Sequence, residues 1–154
     1  MMTLGDILQP ANVLLDLSAT RPADVIDEVA APLQRDPRVL DWEAVRSALQ
    51  SGAPCLADEG ADFAICLPHA RTDAVTDMVI SVGRAREGLA FPGTAQPVRY
   101  IFCIAVPRAM AADYLRLVGM LMRLLRDHEV ESLVRQSETP EAFLSALVRL
   151  EAKL

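Results

Sequence analysis

The chain is 154 residues long, enough for one domain with a sizeable core, and its 52% hydrophobic and 23% charged residues exclude a disordered composition. A formal charge of −6 argues against nucleic acid as the main partner, because phosphate contacts need clustered Lys and Arg, and Arg84-Ala85-Arg86 is only a small basic patch. Aromatic residues make up 5%, so the core must be filled mainly by Leu, Val, Ile, Ala and Met.

The opening, Met1-Met2-Thr3-Leu4-Gly5-Asp6, lacks the basic start and long apolar run of a secretory signal. Val13-Leu14-Leu15-Asp16-Leu17 reads as a short apolar strand. After it, Pro22 suits a first helical turn, and Val25, Ile26, Val29, Ala30 and Leu33 recur at helical spacing until Pro32 and Pro37 end the helix. Asp41 is the expected N-cap of a second helix running to Ser51-Gly52, with Trp42 packing on the core. The stretch 52–62, GAPCLADEGAD, reads as a loop, and its Asp58-Glu59-Asp62 cluster as a solvated one rather than a carboxylate pair for acid/base work.

Three apolar runs then read as buried strands: Phe63 to Leu67, Asp77 to Gly83, and Val98 to Val106, closed by Pro107. Between the last two, EGLAFPGTAQP carries the turn residues of a surface connection, and Arg84 and Arg86 are expected at a strand end or against a partner. The segment 110–125 is interrupted by Asp113, Arg116 and Arg123, short of the ~20 apolar residues a bilayer needs. It reads as a core helix with Leu115, Val118, Leu121, Met122 and Leu125 on one apolar face, widened by Leu117, Met120 and Leu124; a homodimer surface is the next reading of so wide a face. His128 falls among charges at a helix junction, a solvated position, and Thr139-Pro140 caps a final helix bearing Phe143, Leu144, Leu147, Val148 and Leu150. Helices, then strands, then helices make an α/β chain, with no internal repeat and no linker that divides it.

The chemistry-bearing residues are few. The cysteines, Cys55, Cys66 and Cys103, form no C-x2-C pair, and Cys66 and Cys103, inside apolar runs, read as reduced core residues. Cys66 and His69 make one C-x2-H pair, but a structural zinc site needs four ligands and no second such pair exists, so no metal is expected. From its neighbours alone, His69 reads equally as a strand-end histidine held by backbone or as a functional imidazole.

The segment FAICLPHARTDAV resembles the signature of the type 2 enzyme IIA domains (fructose, mannitol and nitrogen-regulatory) of the bacterial phosphotransferase system. The likeness continues through SVGRAREGLAFPGTAQPVRYIFCIAVP and the opening LGDILQPANVLLDLSATRPADVIDEVA, so it covers nearly the whole chain. It implies a single domain over residues 1–154, built as a three-layer α/β/α sandwich around a small mixed sheet. It also implies a cytoplasmic phosphocarrier, a transferase component without cofactor. Its partners would be an HPr-like donor and a IIB domain or a regulated kinase or transporter, with no membrane insertion. His69 matches the phosphoryl acceptor, a role that suits an imidazole whose ordinary pKa of ~6.5 leaves it largely neutral near pH 7. Arg71 is the nearest cation in sequence and would stabilise the anion.

The sequence departs from that family in two places. No arginine or glycine-rich run precedes the Pro-His pair: the stretch between Arg46 and His69 lacks any Arg and carries Asp58, Glu59 and Asp62. Tyr114, followed by Arg116, stands where the family has its second histidine. The alternative reading is therefore a regulatory binding module that keeps the fold without efficient phosphotransfer.

Overall fold

The structure is a computed structural model describing residues 3–58 and 60–153, without the side chain of Lys153. Met1, Met2 and Leu154 lie outside the described residues, as does Glu59 of the acidic loop. In chain order the elements are α1 (Leu4–Ile7), β1 (Val13–Leu14), α2 (Pro22–Ala30), α3 (Trp42–Ser51), β2 (Cys55–Leu56), β3 (Ala64–Cys66), β4 (His69–Arg71), β5 (Val79–Leu89), β6 (Val98–Val106), α4 (Ala111–Met122), α5 (His128–Gln136) and α6 (Pro140–Leu147). The expected capping holds: Asp41 accepts from the Ala44 amide at the start of α3 and Thr139 from the Ala142 amide at the start of α6. At Pro32 the α2 helix tightens into a 3-10 turn over Ala31–Arg35 rather than stopping outright.

The strands form one mixed sheet in the order β1-β5-β6-β3-β2. β5 pairs antiparallel with β6, while β3 and β4 both run parallel to β6, end to end along its other side. The interruption between them is Leu67-Pro68; Pro68 has no N–H to give, but its carbonyl accepts from the Ile104 amide at 3.0 Å, so β6 continues across the break.

Side-chain alternation along β6 divides the core into two layers. Tyr100, Phe102, Ile104 and Val106 pack with Leu117, Leu121, Leu124, Val134, Phe143 and Leu147 from the C-terminal helices. Ile101, Cys103 and Ala105 pack with Val25, Val29, Leu33, Val45 and Leu49 from α2 and α3. Helices thus cover both faces of the mixed sheet, which is the three-layer α/β/α sandwich expected. At Gly83 the α2 layer approaches β5 so closely that an added Cβ would stand 2.5 Å from Val29 Cγ2, which leaves room for glycine alone. No helix among the described residues is long and apolar enough to cross a membrane.

Three details differ from expectation. Leu115 is 68% exposed, because Leu117, Met120, Leu121 and Leu124 turn toward the sheet and residue 115 falls on the far side of the helix. β5 runs on to Leu89, and Arg84 is 1% exposed rather than at a strand end facing solvent. Its Nε donates to the Leu15 carbonyl, and its Nη1 to the carbonyls of Val134 and Ser137 and to Ser137 Oγ, at 2.8–3.1 Å. Finally, the 52–62 stretch holds strand β2, paired antiparallel with β3.

Candidate functional site

His69 opens β4 directly after the Leu67-Pro68 break. Ala70 points into the α2/α3 layer, so alternation turns His69 and Arg71 toward α4, and the register of His69 with Ile104 agrees. Residue 71 is still extended, which puts the guanidinium and the imidazole on one face of the strand.

The imidazole is half-buried, and its Nδ1 lies 3.1 Å from the Leu67 carbonyl oxygen. A carbonyl can only accept, so in the neutral ring Nδ1 carries the proton and Nε2 keeps its lone pair. That is the tautomer in which Nε2 is a nucleophile. Against the ring stands Tyr114, with centroids 5.2 Å apart and planes tilted by 32°, on the first turns of α4. Tyr114 is itself half-buried, and that burial raises its phenol above the ordinary value, so it stays a protonated hydroxyl at neutral pH.

Arg71 is exposed and its Nη2 donates to the Arg108 carbonyl at 3.4 Å, just before α4. Arg108 in turn is fixed from the same β4 end: its amide donates to Asp73 Oδ1 at 3.2 Å, and its guanidinium lies 3.9 Å from Asp73 Oδ2. Thus the turn after β4 and the turn before α4 are tied together around the histidine.

Four residues singled out beside His69 in the sequence lie elsewhere. Arg46 on α3 holds Asp27 of α2 at 2.9 Å and holds that carboxyl below its usual pKa range. Arg116, two residues past Tyr114, is exposed on a different side of α4. Asp58 of the acidic loop pairs with Arg126 at 2.7 Å, its charge answered by a cation from the end of the α4 segment. His128, at the first position of α5, is exposed. Sequence reasoning missed the Leu67 carbonyl, the group that fixes the His69 tautomer. A main-chain acceptor leaves no residue-type signal; only the Pro68 break hinted that the backbone there turns a carbonyl out of the ladder.

A family model described as phosphoenolpyruvate-dependent sugar phosphotransferase system, EIIA 2, matches residues 6–149. The fructose-specific EIIABC component of Bacillus subtilis is 23% identical over 95% of this chain, and this chain spans only 23% of its length. The fructose-specific EIIA component of Haloferax volcanii is 30% identical over 61% of this chain and 62% of its own. A nitrogen regulatory protein of Bradyrhizobium diazoefficiens is 23% identical over 95% of both chains. Among solved structures, nitrogen regulatory protein IIA-Ntr from Neisseria meningitidis superposes with a TM-score of 0.78 at 21% identity, covering 94% of this chain and 98% of that one. The IIA mannitol protein of Escherichia coli, solved in complex with its phosphorylated IIB enzyme, gives 0.70 at 16% identity over 93% and 99%. With the resemblance carried by Leu67-Pro68-His69-Ala70-Arg71 and the fold both in agreement, the chain belongs to the type 2 EIIA family of the phosphoenolpyruvate-dependent sugar phosphotransferase system.

Proposed function

We propose that the chain is a cytoplasmic phosphocarrier of one domain, residues 1–154, with His69 as its phosphoryl acceptor. The observation that carries this reading is the Nδ1 contact with the Leu67 carbonyl, because it leaves Nε2 unprotonated and facing away from its own backbone. Nε2 attacks the phosphorus of a phosphohistidine on an HPr-like donor. The new N–P bond forms as the donor's N–P bond breaks, and the donor imidazole leaves with the electron pair. Phosphoryl transfer of this kind asks mainly for in-line positioning and for charge around the equatorial oxygens. Arg71, on the same strand face, supplies the nearest cation, and the Tyr114 hydroxyl a neutral donor.

The end-to-end match to a nitrogen regulatory protein favours regulatory use of the phosphorylated state over a dedicated sugar route. A IIB domain is the alternative recipient, by analogy with the mannitol complex. No cofactor enters the scheme. The test is incubation with enzyme I, HPr and radiolabelled phosphoenolpyruvate. Acid-labile label appears on the parent protein and is absent from His69→Gln. An unlabelled parent, under conditions that label a standard IIA protein, overturns the proposal.

A second reading, the regulatory binding module without efficient transfer, is favoured by one observation: an aromatic ring, Tyr114, lies against the face of His69 where the family has a second histidine. Under that reading partners bind His69→Ala as tightly as they bind the parent.

A further inference from the structure

Cys55 and Cys66 are register partners on the antiparallel strands β2 and β3, and both are free thiols. The Leu67 amide donates to the Pro54 carbonyl at 2.9 Å, so the ladder bond belongs to the 54/67 pair. The 55/66 pair is then the non-hydrogen-bonded kind, in which facing Cα atoms stand about 4.5 Å apart and side chains approach most closely. That separation lies inside the ~4.4–6.8 Å range a disulfide spans. The side chains share one face of the sheet, and the two sulfurs lie 3.9 and 3.7 Å from the same Ala53 carbonyl oxygen. Cys103 is excluded as an alternative partner. Across the parallel pair β3/β6 Cys66 faces Ile101, so Cys103 sits two residues further on, roughly 8 Å away by strand spacing and rise.

We propose that Cys55 and Cys66 form an oxidative modification site, a cross-strand disulfide made by exchange with a low-molecular-weight disulfide. Cys55, half-buried at the sheet edge, meets the oxidant; Cys66 is fully buried and resolves it. The Cys55 thiolate attacks one sulfur of RSSR, forming a mixed disulfide and expelling RS⁻. The Cys66 thiolate then attacks the Cys55 sulfur, closing the intrachain bond and expelling the second RS⁻. The protons given up by the two cysteines end on the two RSH, so one RSSR is reduced as one protein disulfide is formed. Burial pushes both thiols above their ordinary pKa, so exchange is slow at neutral pH and quickens as pH rises. The bond staples edge strand β2 to β3 one residue before the Leu67 carbonyl that holds His69, and it forms whether or not His69 carries phosphate.

The experiment is incubation of the reduced, folded protein with oxidised glutathione at mildly alkaline pH, an acid quench, a thiol count in denaturant and peptide mapping. The parent falls from three titratable thiols to one, the survivor maps to Cys103, and the mass drops by two hydrogens. Cys66→Ala, its fold checked by circular dichroism, stops at a glutathione adduct on Cys55. Cys55→Ser, at the less buried position, keeps both remaining thiols. A parent that retains three thiols, accumulates a stable Cys55 adduct, or links Cys66 to Cys103 overturns the proposal.

Discussion

The histidine is positioned by main chain on one side and by an aromatic ring on the other, so the two contacts have separable consequences. Leu67 contributes a carbonyl that no side-chain substitution removes, which leaves Tyr114 as the accessible variable. If the hydroxyl donates to the transferring phosphoryl group, Tyr114→Phe keeps the ring contact and loses only that donor. Removing one preorganised donor costs about 10²–10³ in rate in well-built sites, and a neutral phenol at the edge of one is expected to cost about tenfold. Tyr114→His, which restores a nitrogen donor at that helical position, raises the initial rate of label transfer from phosphorylated HPr above that of the parent. Equal rates for parent, Tyr114→Phe and Tyr114→His would show that residue 114 only packs. The position of His69 was legible in the sequence because Leu-Pro-His-Ala-Arg is a local pattern. Its tautomer was not, because the group that sets it is a carbonyl. The burial of Arg84 was equally hidden: Arg-Ala-Arg on a strand reads as solvent-facing, and only the carbonyls of another element, 50 residues or more away, give the guanidinium a reason to be inside.

At the scale of elements, those carbonyls belong to the last turn of α5 and its C-cap, Ser137. A helix C-terminus leaves carbonyls without intrahelical donors, and Arg84 supplies donors from the sheet beneath. Burial lowers the Arg84 pKa, with Arg86 adding to it. Four acceptors meet its Nε and Nη1, while its buried Nη2 has no hydrogen-bond partner among the described residues, so the charge is held there at a cost. Arg84→Met removes the guanidinium's bonds to Leu15, Val134 and Ser137, while Ser137 Oγ still serves the Val134 carbonyl and Arg86 the Ser137 carbonyl. The expected cost is therefore about 1–3 kcal/mol, read as a lower urea midpoint. Arg84→Lys recovers only part of this, since an ammonium cannot reproduce the guanidinium fork. A milder element-scale outcome is Asp41→Ala, which removes the acceptor for the Ala44 amide at the start of α3 and costs ~1 kcal/mol. The caps and the long strand β6 were readable because capping and apolar runs are local. The two-residue strand β2 was not. Cys55-Leu56 carries no alternation long enough to detect, and its pairing is dictated by β3.

For the whole molecule, two opposed layers press on one sheet, and the ionisable groups caught between them decide how stability responds to base. Cys66 and Cys103 lie on the α2/α3 side, while Tyr100 lies on the other and donates its hydroxyl to Glu131 Oε2 at 2.6 Å. Burial raises all three pKa values, with the Glu131 carboxylate adding to the shift at Tyr100. Raised native values mean that the protonated forms are favoured in the fold. Their stabilisation is fully present below the unfolded values, about 8.5 for a thiol and about 10 for a phenol, and is lost as pH climbs beyond them. In that window the unfolded chain sheds protons that the native chain keeps, so each thiol subtracts up to about 1.36 kcal/mol per pH unit, and Tyr100 joins above pH ~10. With a non-thiol reductant present to keep Cys55 and Cys66 apart, urea midpoints should be level from pH 7 to 8 and fall steeply from 9 to 10.5. Cys103→Ala lowers the neutral-pH midpoint by leaving a small void, yet it makes the alkaline descent shallower by one group's share. A parent whose midpoint is flat to pH 10, or a Cys103→Ala slope equal to the parent's, would mean that the two layers do not hold these groups protonated.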